Sequence, residues 1–360
     1  MWVQLIIFLM VFCTSTCAQS VPEQRLNLLS KGISIPHWYW MRPPDVLIPN
    51  YIQDHDIETL AKLGVKHVRI PFEMDDVDKP RITQHLKADI QRFVNHNIGV
   101  IVSAFGMKYN RDLISSSLGL KKIRSLCQVL KDTPPDYVFL QFANEPLPDK
   151  PEAWTTLQNK LIEESRRILP HHTLITSTPL KFDSSSEGWD TFKAFQAIQP
   201  HDDQNIVYAV HFYEPYLFTH QNADWDRNTR FIKQLAYPTD GANIRQLISK
   251  LPKNTPPWIV QSLHTFWDKE KLRHSLEPIL AWRKKHQRPV IITEFGVYKP
   301  HVDASSRHHW LADVISLFNE EKLLWTYWSY GGGFGLFNTN DGFRDLDIDV
   351  ASILGLIMKD

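Results

Sequence analysis

Residues 65–105 read VKHVRIPFEMDDVDKPRITQHLKADIQRFVNHNIGVIVSAF, and three patterns follow one another inside them. Residues 65–72 are a β-branched and aromatic run, which suits a buried strand. Ile82, Leu86, Ile90, Phe93 and Val94 then recur at helical spacing and share one face of a helix. Residues 99–105 form a second apolar run. A strand, an amphipathic helix and a strand make a βα repeat, the unit of a parallel sheet.

The alternation continues in both directions. Strand-like runs occupy residues 31–38, 137–146, 173–179, 206–215, 289–296 and 323–330, making eight with the two above. Ile57, Leu60 and Leu63 lead to Gly64, a helix stop. Leu120, Ile123, Leu126, Cys127 and Leu130 mark another helix face, as do Trp154, Leu157, Leu161, Ile162 and Ile168. Trp310, Val314, Ile315 and Phe318 precede the last run. Eight strands, each with a helix, over 360 residues favour a closed (β/α)8 TIM barrel over an open doubly wound sheet. Residues 216–280 separate strands six and seven by more than one helix needs and carry Trp225, Trp258 and Trp267. They are predicted to be an elaborated loop with some helix, without forming a second domain.

Composition excludes several classes. Forty basic residues balance forty acidic ones, so no polyanion and no nucleic acid is expected as partner. With 43% hydrophobic residues and twelve Trp the chain can bury a large core, which rules out disorder. No G-x-G-x-x-G follows the first strand and no Walker loop occurs, so no nucleotide is suggested, and Gly331-Gly332-Gly333 reads as a βα turn at the barrel mouth. The first twenty residues are uncharged, and the apolar run 5–13 is too short for a bilayer of about 30 Å. Thr16 and Ala18 then suit cleavage before Gln19. We therefore expect a signal peptide over residues 1–18, a barrel over 19–360, a secreted or periplasmic location, no stable membrane span and a monomer. Cleavage leaves Cys127 as the sole cysteine, so no internal disulfide can form.

A (β/α)8 barrel carries its site at the C-terminal ends of the strands. The polar residues there are Arg69, Asn144, Glu145, His211, Tyr213 and Glu294, with Trp328 on the last strand. Glu145 and Glu294 both terminate apolar strands, where an ionised group is costly unless paired or used. Facing carboxylates suit glycoside hydrolysis: one protonates the departing oxygen while the other meets the developing oxocarbenium carbon.

Five motifs, in order, make the resemblance specific: Val68-Arg69-Ile70-Pro71-Phe72, Ala143-Asn144-Glu145-Pro146, His211-Phe212-Tyr213, Thr293-Glu294-Phe295-Gly296 and Trp328. Together they resemble glycoside hydrolase family 5, the cellulase family of retaining barrel glycosidases. The resemblance implies that Glu145 is the general acid/base, protonated at the start, and Glu294 the nucleophile, about 5–5.5 Å apart. It places Arg69 and Tyr213 on Glu294, His211 near Glu145, Asn144 on the sugar 2-hydroxyl and Trp328 under the −1 sugar. Trp328 also fits an aromatic core stripe with Trp325, Tyr327 and Tyr330. His37, Trp38 and Trp40 follow strand one, where they form a sugar platform or simply cap the barrel.

Strand three departs from the family. Many members end it with a histidine, whereas Ser103-Ala104-Phe105-Gly106 stands here, and the strand-five exit Ser177-Thr178-Pro179 lacks the usual Asn and Trp. His37 is a candidate for the missing histidine's role. The lead expectation is an endo-β-1,4-glucanase acting on a β-linked oligo- or polysaccharide; β-mannanase, exo-β-glucanase and, from another class, an inactive carbohydrate-binding protein stay open. The adjacent pairs His171-His172 and His308-His309 point in different directions, so no metal and no organic cofactor is expected.

Overall fold

Eight parallel strands close on themselves in the computed structural model, which describes residues 20–41, 51–115, 117–148, 150–180, 191–340 and 343–358. The expected signal peptide lies outside the described residues. The strands are β1 (Lys31–Ser34), β2 (His67–Glu73), β3 (Gly99–Phe105), β4 (Val138–Gln141), β5 (Leu174–Thr176), β6 (Ile206–His211), β7 (Val290–Glu294) and β8 (Leu324–Tyr327), with β8 pairing back onto β1. This is the expected (β/α)8 barrel. Six strands stop earlier than the apolar runs that announced them: residues 35–38, 142–146, 177–179, 212–215, 295–296 and 328–330 leave the ladder at the rim. Asn144, Glu145 and Tyr213 stand on those tails, whereas Arg69, His211 and Glu294 stay on the strands.

Alternation along each strand divides the core. Ile101, Phe139, Ile175, Val207, Ala209 and Ile291 form a plug inside the barrel together with Val21 and Leu29. Their neighbours, such as Val100, Val102, Leu140 and Ile292, face outward into a second cluster beneath the helices.

A short helix, α1 (Glu23–Leu28), precedes β1, and one turn, α2 (Pro36–Tyr39), follows it. Helices α3 (Asp54–Lys62), α4 (Pro80–Asn95), α5 (Met107–Ser115), α6 (Leu118–Leu130), α7 (Pro151–Arg166) and α8 (Thr191–Ala197) lie between successive strands. The expected apolar faces are buried: Ile57 and Leu60 on α3, Leu86, Ile90 and Phe93 on α4, and Trp154 and Leu161 on α7. Gly64 ends the α3 turn with φ 77°, a conformation that favours glycine. The long span after β6 holds α9 (Tyr216–Thr219), α10 (Gly241–Lys250), α11 (Pro257–Leu263) and α12 (Lys269–His286). Helix α13 (Ala304–Glu320) precedes β8. Beyond the barrel, β9 (Phe337–Asn340) and β10 (Phe343–Leu346) form an antiparallel hairpin before α14 (Ile348–Ile353). That hairpin was not anticipated, because its polar Asn and Asp residues carry no strand pattern.

The barrel floor is fastened by polar groups. Arg25 of α1 donates from Nε and Nη2 to Asp136 Oδ1, at 3.0 and 2.9 Å, and from Nη1 to His171 O and Thr173 Oγ1. His67 has no exposed surface; its Nδ1 lies 2.9 Å from Leu28 O and its Nε2 2.8 Å from Thr326 Oγ1. The imidazole lies so close to Gly32 that a Cβ there would sit 2.2 Å from Nε2, so β1 has no room for a side chain at that point. Burial lowers His67 to about 4, and the fold therefore stabilises the neutral ring.

The sign of the pH effect follows. A histidine depressed in the folded state and ordinary (about 6.5) when unfolded stabilises in full above pH 6.5 and loses that contribution as pH falls towards 4. Urea titrations from pH 7 to 4.5 should show stability falling on acidification. The His67→Gln variant should have a slope smaller by about one proton, or roughly 1.4 kcal/mol per pH unit at most. Identical slopes for both proteins would contradict a neutral His67.

Candidate active site

The mouth is organised around Arg69, which lies on β2 with no exposed surface. Its Nη1 donates to Glu294 Oε1 at 2.6 Å, Nε to Gln141 Oε1 at 2.8 Å, and Nη2 to Asn144 Oδ1 at 2.9 Å and Ser103 Oγ at 3.2 Å. The guanidinium also packs over the Phe105 ring, 4.9 Å from its centre. One side chain thus ties β2, β3, β4 and β7 together. Ser103 donates in turn to Gln141 Oε1 at 2.7 Å, across the register that pairs these two residues. Neither Gln141 nor Ser103 was foreseen as part of the site. The available signal was a polar side chain near the exit of an otherwise apolar buried strand, where it needs a partner.

Glu294, 5% exposed, takes a second hydrogen bond from Tyr213 Oη at 3.0 Å. Burial, then the charges of Glu294 and Glu145, hold the Tyr213 hydroxyl well above its ordinary range, so it stays a neutral donor. Glu145 is half-buried and stands just beyond β4 with φ 45°, a left-handed backbone that costs energy for a residue with a side chain. Its Oε1 lies 2.8 Å from His211 Nδ1, and the same nitrogen is 3.5 Å from Glu294 Oε2. Burial raises the Glu145 carboxyl, but the hydrogen bond and charge of His211 outweigh it and hold the group below its ordinary range. The role expected of Glu145, protonated at the start, runs against that direction in the free site.

Donor atoms of Glu145, His211 and Glu294 all lie within 4.8 Å of one another. One oxygen of each carboxylate therefore lies within 4.8 Å of an oxygen of the other. Three such donors also meet the distance requirement for a metal ion. The buried positive charge of Arg69 on Glu294 already satisfies part of that set and repels a dication.

A cleft of about 1580 Å³ runs across these groups. His37, Trp40, Met41, Phe105, Met107 and Trp328 line it on the side of β1, β3 and β8. Trp40 packs on Phe105, ring centres 4.7 Å apart, and lies 6.3 Å from Trp328. Met41 and Met107 are 57% and 83% exposed, so they form its outer rim. Trp38 does not belong to the cleft: it is 1% exposed and packs against Tyr39 and Phe93. Of the two indoles only Trp40 lines the cleft, because the turn of α2 sends them in different directions. Trp325, Tyr327 and Tyr330 are core residues whereas Trp328 faces the cleft, since β8 ends at Tyr327 and the strand alternation goes no further. Gly331, Gly332 and Gly333 sit at the mouth as expected. Trp225, Trp258 and Trp267 from the span after β6 also line the cleft, and Trp225 packs against Tyr298 and Phe334.

A family model for cellulase (glycosyl hydrolase family 5) matches residues 27–333. Among characterised proteins, Endoglucanase 3 of Fibrobacter succinogenes is 23% identical over 365 residues, covering 92% of this chain but only 54% of that protein. Endoglucanase C of Acetivibrio thermocellus is 24% identical over 300 residues, 78% of this chain and 84% of its own length. The chain thus spans about half the length of the Fibrobacter relative. Among solved structures, Thermotoga maritima Cel5A, crystallised with cellobiose, superposes with a TM-score of 0.72 at 22% identity over 92% of this chain and 99% of that one. That likeness establishes the shared barrel.

Removing the central cation should be severe. Arg69→Leu leaves the Glu294 carboxylate and the Gln141 and Asn144 oxygens without their donor. We expect a loss of about 3–5 kcal/mol in unfolding free energy. A loss below 1 kcal/mol by urea denaturation would show that the network does not depend on the guanidinium.

Proposed function

The chain belongs to the cellulase family, glycoside hydrolase family 5, and on that premise we propose that it is a retaining endo-β-1,4-glucanase that works outside the cytoplasm. The observation that carries the mechanism is the approach of the Glu145 and Glu294 carboxylates to within 4.8 Å. Such a separation favours direct attack by a carboxylate over attack by an interposed water. The endoglucanases among its relatives and the exposed rims of the cleft support internal cleavage of a glucan chain.

In this reading Trp328 supports the sugar ring from its apolar face, with Trp40 and Phe105 beyond it. Glu294, fixed by Arg69 and Tyr213, attacks the anomeric carbon. The glycosidic bond breaks and the leaving oxygen takes a proton from Glu145, so that a glycosyl ester forms on Glu294. Glu145 then removes a proton from water, which attacks the ester and frees the sugar with its configuration kept. Asn144 accepts from Arg69 through Oδ1, which leaves its amide nitrogen free to donate to the 2-hydroxyl. His211 Nδ1, 2.8 Å from Glu145 Oε1, holds that carboxyl in position for the transfer. Phe105 replaces a polar subsite residue by an apolar wall, and His37, half-buried and lowered by burial, stands across the same part of the cleft.

Products from carboxymethyl-cellulose, mixed-linkage β-glucan, laminarin and β-mannan test the assignment of substrate. Oligomers from the β-1,4-glucans, absent with a Glu145→Ala/Glu294→Ala double variant, are expected; release from mannan alone would reassign the sugar. With activated aryl β-glycosides, Glu294→Ala should lose turnover by at least a thousandfold and form an α-glycosyl azide when azide is added. A β-azide would contradict Glu294 as nucleophile. Glu145→Ala should slow poor leaving groups far more than good ones, and equal losses on both would remove it as the acid.

A further inference from the structure

A third carboxyl opens into the cleft. Glu214 follows Tyr213 at the exit of β6, is half-buried, and lines the same cavity as Glu145 and Glu294. Its backbone is firmly mounted: Trp310 Nε1 donates to its carbonyl oxygen at 2.8 Å, and Phe218 N to the carbonyl of the next residue, Pro215, at 2.9 Å. The side chain is treated differently. Among the described residues it has no ion pair and no hydrogen bond from another side chain; its carboxyl takes only the backbone N–H of Tyr216. Leu180, Phe192 and Leu217 also line the cleft, with Thr191, Tyr213 and Tyr216 among them as uncharged polar neighbours. A carboxyl kept in such surroundings without a cation is costly unless a ligand uses it.

The order of strands around the barrel says which part of a ligand reaches it. Trp40, Phe105 and Trp328 lie with β1, β3 and β8, Glu145 with β4, and Glu214 with β6. A sugar resting on Trp328 with its anomeric carbon at Glu294 must send its leaving group past Glu145, over β5 and β6. We propose that Glu214 is a substrate-binding residue for the leaving-group sugar, where its carboxyl engages the hydroxyls of a neutral pyranose. This inference rests on the hydrolase reading above and adds a specificity-determining contact to it. Burial pushes the Glu214 carboxyl up to about 7, so near neutral pH it can donate to one hydroxyl oxygen as well as accept from another. The departing sugar is also the natural acceptor in the reverse direction, so the same contact should govern capture of the glycosyl ester by sugars.

The test is a partition experiment with 4-nitrophenyl β-cellobioside as donor, comparing the full-length protein with Glu214→Gln and Glu214→Leu. Capture of the glycosyl-enzyme by added cellobiose is measured against capture by methanol, which is too small to reach Glu214. A general distortion of the site lowers both captures together. The proposal expects the cellobiose-to-methanol ratio to fall about tenfold in Glu214→Leu and by less in Glu214→Gln, which keeps one acceptor. That size is the one expected for loss of a hydrogen bond in a partly desolvated site. A ratio unchanged in both variants would overturn it. A wild-type protein that releases no nitrophenol would instead overturn the hydrolase reading, and this inference with it.

Discussion

A guanidinium without any contact with water sits at the centre of the barrel mouth, and its five N–H groups have to be met by the strands around it. Four of them are met by Glu294, Gln141, Asn144 and Ser103, drawn from or just beyond three other strands. Each of these side chains is held in place by serving the charge of Arg69. Removing one member would leave a buried charge or acceptor uncompensated. Below it Ile101, Phe139, Ile175, Val207, Ala209 and Ile291 fill the barrel, and the next polar set, around His67, lies at the floor.

The two glutamates at this mouth are chemically alike and are set apart by their counter-ions. Glu294 is paired with an arginine, which never gives up its proton at physiological pH. Glu145 is paired with a histidine. Arg69 and Tyr213 fix one carboxylate from two sides, whereas the other stands half-buried at the cleft with His211 as its partner. The floor of the barrel uses the opposite device: His67 is deprived of charge by burial, and its neutral ring joins β2 to β8 and to the end of α1.

The barrel was legible because its evidence is periodic. Eight apolar runs with helical faces between them leave few other architectures, and the residues at their ends named Arg69, Asn144, Glu145, His211, Tyr213 and Glu294 before any distance was known. Features set by three-dimensional accommodation were not legible. Trp38 and Trp40 are two positions apart, yet only the turn that follows β1 decides which meets the cleft and which meets Phe93. Gln141 and Ser103 looked like strand residues because their partner lies 72 and 34 positions away in sequence. The surroundings of Glu145 were only partly legible for a related reason: the sequence indicates that His211 is near, whereas its effect on the carboxyl depends on a contact of 2.8 Å. The hairpin after the barrel holds through Arg344, which pairs with Asp56 at 2.9 Å and donates to Tyr330 Oη at 2.6 Å, contacts that local polarity does not announce.

The rim formed by Met41 and Met107 gives the cleft a dependence on its chemical surroundings. Both thioethers are largely exposed beside Trp40 and Phe105, where peroxide reaches them freely. Oxidation to the sulfoxide would turn this flexible apolar edge into a polar, chiral one without touching a carboxylate. Cys127, the free cysteine among the described residues, is buried and pushed up to about 11 by that burial, so its thiol is far less available to the same oxidants. Under oxidative stress the cleft edge would therefore change before the fold does.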